Sequence, residues 1–219
     1  MAGTTSVSNR IYEDLRARIL AGDEDALPSE RRLAEDLGAS RHAVREALKR
    51  LQQSGLVRIS QGGATRVRDW RRHGGLELLL ELAASGDIPP ELGIERAVLE
   101  MRASVGADAA RRAASRATAA QCAELEARAE LLAAQDDLDI RNTIYEALWD
   151  LIVEASGNLA YRLALNTLVT GQQLLAFDAA LVAAELRDDD AIRSLAGAIA
   201  ADDPDEAHAL ARDLLERSI

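Results

Sequence analysis

Histidine, cysteine and aromatic residues are scarce in these 219 residues, and each scarcity excludes something. One cysteine, Cys122, rules out an internal disulfide framework and suits a reducing compartment. Its neighbours form no motif, so it reads as an inert thiol. Aromatics make up 3% of the chain, so a core built from the 48% hydrophobic residues must be aliphatic. No apolar run approaches the ~20 residues that span a bilayer, and the start, Met1 to Ser8, lacks a basic-then-apolar signal pattern. A cytoplasmic chain that engages no membrane is the expectation. There is no Gly-rich phosphate loop, Ser/His/Asp set or paired metal motif, so nothing marks an enzyme. The acidic clusters Asp188–Asp190 and Asp202–Asp203 read as helix starts favoured by the macrodipole rather than as cation sites.

What is present divides in two. Residues 1–72 hold 14 Lys and Arg against 10 Asp and Glu, whereas 73–219 hold 12 against 27. The net charge of −11 is thus the sum of a basic head and a strongly acidic body, which confines phosphate contact to one end.

The head reads as a winged helix-turn-helix. Ser6 can cap a helix near Val7–Ala21 with Ile11, Leu15 and Ile19 on one face, and Gly22 stops it. Ser29 caps a short helix burying Leu33, Ala34 and Leu37. Only Gly38-Ala39 then precedes Ser40, the cap of the next helix. Such a tight turn between short helices marks the helix-turn-helix. In the second helix Val44, Ala47, Leu48 and Leu51 form the core stripe, while Arg41, Arg45 and Lys49 lie four apart on another face with His42 beside them. Arginine suits base reading because its fork pairs with guanine O6 and N7 or with phosphate. Leu56–Ser60 and Thr65–Arg68 alternate as strands around the turn Gln61-Gly62-Gly63-Ala64. Arg58, Arg66 and Arg68 are candidate phosphate contacts.

Beyond a junction at Asp69–Gly75, nothing reads as strand. Helices are expected near 76–85, 91–115, 118–134, 139–156, 159–184, 187–201 and 203–217, packed as an antiparallel bundle. The fold class is therefore mainly α, with domains at 1–72 (winged helix-turn-helix, DNA-binding) and 73–219 (all-helical).

The phrases Leu27-Pro28-Ser29-Glu30-Arg31-Arg32-Leu33-Ala34, Ser40-Arg41-His42-Ala43-Val44-Arg45-Glu46-Ala47-Leu48 and Gln61-Gly62-Gly63-Ala64-Thr65 resemble the GntR family of bacterial transcriptional regulators. Arg96–Glu100, Ala155-Ser156-Gly157-Asn158 and Ala198-Ile199 followed by Asp203 resemble the FadR-type effector domain, called FCD. The resemblance implies DNA contact by Arg31, Ser40, Arg41, His42, Arg45, Gly62 and Gly63. His42 departs from the family's usual small hydroxyl residue, which alters the base or phosphate contact expected there. It also implies a homodimer on a near-palindromic operator, repression relieved by a small-molecule effector, and effector binding and dimerisation by the body.

Many domains of this type bind a divalent metal through one Asp and three His. Those positions fall on Tyr145, Trp149, Ile192 and Leu214 here, so no metal and no cofactor is expected. Of the three histidines, His42 and His73 lie in or beside the head, and His208 stands alone. Tyr145 and Trp149, four apart on one helical face, either pack the core or line an apolar effector cavity. The acyl-CoA-responsive FadR proteins also lack the metal set, and Trp70 with Gly75-Leu76-Glu77-Leu78-Leu79 looks like their junction. An acyl-CoA or another apolar carboxylate is the effector this implies, with Arg96 either its anion partner or simply paired with Glu100. Two alternatives stand beside this reading: a metal-dependent FCD regulator of carboxylate or sugar-acid metabolism, and a helical small-molecule-binding protein or enzyme with a vestigial DNA-binding head.

Overall fold

A computed structural model describes residues 6–22, 24–60, 65–85, 93–174 and 179–219, which form two compact units divided between Ser85 and Gly86. Within the first unit, α1 (Val7–Ala21) is capped by Ser6, whose Oγ accepts from the Asn9 amide, and ends at Gly22 with φ 82°. Its spaced apolar residues Ile11, Leu15 and Ile19 are buried, as is Tyr12. Ser29 and Ser40 cap α2 (Glu30–Asp36) and α3 (Arg41–Gln53), each accepting an amide hydrogen three residues ahead. Gly38, at φ 58°, makes the left-handed turn between them. Val44, Ala47, Leu48 and Leu51 are fully buried along α3, each leucine contributing roughly 1.5–3 kcal/mol.

Three short strands complete the wing: β1 (Ala26–Leu27), β2 (Val57–Arg58) and β3 (Thr65–Val67), antiparallel in the order β1-β3-β2. β1 was not anticipated from the sequence. It is two residues long and precedes Pro28, so it carries no readable alternation. The expected turn at 61–64, with Gly62 and Gly63, lies outside the described residues.

The junction forms a helical turn, α4 (Trp70–His73), followed by α5 (Glu77–Ser85). The sequence places α5 with the bundle, whereas the structure ties it to the head. Tyr12 and Ser54 donate their hydroxyls to the Glu81 carboxylate, and Arg16 donates to the Glu81 carbonyl at 3.0 Å. A boundary after 72 therefore differs from the division by packing, because α4 and α5 find their partners in α1 and the end of α3.

Burial raises the Glu81 carboxyl above its ordinary value. Between the ordinary and raised values the folded head binds more protons than the unfolded chain, so stability from this group is greatest at low pH and falls as pH rises. The unfolding free energy of wild type relative to Glu81→Gln is expected to drop as pH rises past the ordinary glutamate value of about 4.3. Urea titrations that find a constant or rising difference would contradict this.

The second unit comprises α6 (Ile94–Ala114), α7 (Ala119–Ala133), α8 (Leu138–Ala155), α9 (Leu159–Leu174), α10 (Ala179–Leu186), α11 (Asp189–Ala200) and α12 (Pro204–Glu216). Of the helix expected over 159–184, the described parts are α9 and α10, and residues 175–178 lie outside the description. Small residues on α6 let α12 approach closely. A Cβ at Gly106 would lie 2.6 Å from a Leu215 methyl and 3.4 Å from the Trp149 ring. Buried Arg141 braces the far side, donating to the carbonyls of Leu132, Gln135 and Leu186 and to Asp189.

Candidate functional site

The basic side chains of the head stand on two adjoining elements. Arg41, His42, Arg45 and Lys49 are exposed on α3, and Arg31 is exposed on α2. Glu30 holds Arg45 by three contacts of 2.9–3.3 Å, which strengthens the guanidinium's hold on its proton. Lys49 lies 2.9 Å from Glu46 and keeps that carboxyl below its ordinary value, while Arg31 pairs with Glu35 at 3.0 Å. Each of these exposed pairs contributes little to stability, so an incoming anion can displace the carboxylate. Arg41 has no ion-pair partner among the described residues, and it stands in the first turn of α3 beside its cap Ser40.

The wing adds a feature that the strand pattern alone did not reveal. Arg58 of β2 and Arg66 of β3 are register partners, both exposed and without a carboxylate among the described residues. Like charges directly opposite across strands are destabilising, and a phosphate between them would relieve the repulsion. Other head arginines are committed to the fold. Arg50 stacks on Tyr12 at 3.9 Å and donates to Asn9, and Arg16 is buried against Glu81.

In the helical unit, Tyr145 is buried, as the sequence pattern allowed, but its hydroxyl serves a polar cluster. It donates to Glu185 Oε2 at 2.7 Å. Arg102 grips both oxygens of the same carboxylate, at 2.8 and 2.7 Å, and the Ser218 hydroxyl also donates to it. Glu185 has no exposed surface. The carboxylate lifts Arg102 above the usual guanidinium range against the opposing effect of burial, and burial lifts the Tyr145 phenol. Trp149 meets Tyr145 edge-on at 6.2 Å, its indole N–H buried without an acceptor among the described residues.

Arg102, Glu185 and Ser218 come from α6, α10 and the end of the chain, and no local spacing links them. Arg96, the arginine singled out from the sequence, is exposed and pairs with Glu100 at 2.7 Å.

The four metal positions do not fit a divalent ion. Ile192 and Leu214 are fully buried hydrocarbon, an indole has no free lone pair, and the Tyr145 hydroxyl is spent on Glu185. Among the described residues, no group of three or more His, Cys, Asp or Glu is placed to hold a metal.

Comparison with known proteins accounts for both units. Residues 7–67 match the family of bacterial regulatory proteins called gntR, and residues 97–217 match the FCD domain. The HTH-type transcriptional regulator Mce2R of Mycobacterium tuberculosis is 38% identical over 96% of this chain and 89% of its own. The putative L-lactate dehydrogenase operon regulatory protein of Escherichia coli is 31% identical over 70% of this chain and 60% of its own. The solved structure of Streptococcus agalactiae GntR aligns over 96% of this chain and 98% of its own, at 20% identity and a TM-score of 0.49, too distant to add to the assignment. With a capped helix-turn-helix and wing at one end and an all-helical FCD domain at the other, this chain belongs to the GntR family of bacterial transcriptional regulators.

Proposed function

We propose that the chain binds a near-palindromic DNA operator as a homodimer and that a small-molecule effector in the helical unit controls this binding, with release as the outcome of a repressor. The exposed row Arg41, Arg45 and Lys49 on α3, beside the register-paired Arg58 and Arg66, carries the reading. The Ser40 end of α3 enters the major groove, where Arg41, His42 and Arg45 reach base edges or nearby phosphates. Arg31, Lys49 and Arg66 contact the backbone, and Gly62 and Gly63 belong to the same proposed contact surface. Two half-sites about one turn apart match a two-fold dimer. No described helix is long and apolar enough to cross a membrane, which accords with a cytoplasmic place of action.

The effector reading rests on buried Tyr145 and half-buried Trp149, which meet edge-on. Between the two effector classes drawn from the sequence, a free apolar carboxylate is the better match. The thioester end of an acyl-CoA is neutral and its phosphates lie at the far end of the coenzyme, whereas a free carboxylate brings its charge directly to a buried guanidinium such as Arg102. Control requires only that the effector bind the DNA-competent and DNA-incompetent states with different affinity.

The test starts with recovery of bound genomic fragments. Enrichment of discrete sites is expected, and recovery no better than random DNA would end the proposal. On the site recovered, Arg45→Ala should cost about 1–3 kcal/mol and blur base preference. Arg66→Ala should weaken all sequences alike and lower the salt slope by about one. An unchanged affinity for Arg45→Ala would remove α3 from the recognition role.

A further inference from the structure

The carboxylate of Glu185 is bound as a receptor binds a ligand. Arg102 supplies a two-pronged clamp from α6, Tyr145 a hydroxyl from α8, and Ser218 a hydroxyl from beyond α12. Donors from three separate segments thus converge on one pair of oxygens that sees no solvent. None of this follows from helix packing alone. A buried ion pair stabilises a fold no better than well-packed apolar residues of similar volume. The Trp149 indole N–H lies buried at the edge of the cluster beside Tyr145, outside good hydrogen-bond geometry with any described acceptor. Buried unpaired donors are uncommon and ask for a partner.

We infer that Glu185 is an internal ligand: it fills a carboxylate receptor made by Arg102, Tyr145 and Ser218, and a free organic carboxylate binds there by displacing it. The exchange keeps every hydrogen bond of the receptor, since one carboxylate replaces another. A ligand with a second oxygen near its carboxylate would also satisfy Trp149. The freed Glu185 sits on α10, so displacement acts directly on that element. This rests on the effector role proposed above for the helical unit. It adds that the empty state is occupied by the chain's own side chain and that the ligand is an anion bound without metal.

The experiment uses the full chain and acetate as the probe. Glu185→Ala removes the competitor and leaves the three donors. Acetate should then bind at least tenfold more tightly than it binds wild type, and Arg102→Met combined with Glu185→Ala should bind none. Calorimetric titration and thermal melting read this, with chloride at equal ionic strength as the control. Acetate should raise the melting temperature of Glu185→Ala saturably, and chloride should not. Equal affinity of wild type and Glu185→Ala, or identical responses to acetate and chloride, would overturn the inference. If Glu185→Ala does not fold unaided, folded protein recovered with acetate but not chloride supports it, and failure with both overturns it. Operator binding is followed in the same samples. A variant that binds operator but not acetate defeats the internal-ligand inference alone, whereas wild type that binds no operator defeats the regulator proposal.

Discussion

Replacing Arg102 with methionine is expected to lower the unfolding free energy of the helical unit by about 3–5 kcal/mol, a large share of a domain's stability. The reason lies in what remains. Glu185 keeps two hydroxyl donors, from Tyr145 and Ser218, but loses the only cation that grips it among the described residues. A buried carboxylate without its counter-charge bears most of its desolvation cost uncompensated. Removing both charges, as Arg102→Met with Glu185→Leu, should recover most of the loss, because apolar side chains of similar volume can replace a buried pair at little cost. Denaturant unfolding of the single and double variants decides it. A single variant within about 1 kcal/mol of wild type would show that water reaches the cluster and that the pair is not truly buried.

The second large effect is expected at Gly55, where α3 hands over to β2. Its φ is 74°, and a Cβ there would overlap the His73 carbonyl at the end of α4. Alanine thus meets two costs: about 1–2 kcal/mol for the left-handed backbone and about 1–3 kcal/mol for pushing α4 away. The head should lose about 2–5 kcal/mol in all. Gly22 separates the two terms. It has a similar φ of 82° but nothing within 4 Å of its Cβ position, so Gly22→Ala should show the backbone cost alone. Thermal melts of both variants give the comparison. Equal losses would mean that α4 moves freely and that Gly55 matters only for its backbone angle.

The two predictions fall on features of different legibility. Gly55 stands in the sequence as a break between a helical stripe and a strand, so its turn was readable, though not the carbonyl that crowds it. The same holds across the head. Ser6, Ser29 and Ser40 announce α1, α2 and α3 because a cap bonds to amides only three residues away. The strand β1 was not readable, since two residues paired to β3 hold no period of their own. The grouping of α5 with the head, where the sequence places it with the bundle, has a related reason. Its apolar residues declare a helix, but Glu81 meets Tyr12 and Ser54 only after the chain has folded back.

In the helical unit the family resemblance singled out Tyr145 and Trp149, four apart on one helical face, and the structure places them edge to face. The sequence chose Arg96 because Arg96 and Glu100 lie one helical turn apart, which is a local relation and makes a local, exposed pair. Arg102 and Glu185 are 83 residues apart. An arginine's sequence neighbours do not say whether it will point to solvent or into a core.

By itself, then, the sequence determined the order of most helices, their caps and the exposed basic row of α3, because each is a property of residues within a few positions of one another. The tertiary structure alone decided that α5 packs with the head, that Arg58 and Arg66 stand side by side, and that a buried carboxylate gathers Arg102, Tyr145 and Ser218 in the helical unit. Those facts depend on which distant side chains share a low-dielectric space, and no local spacing encodes that.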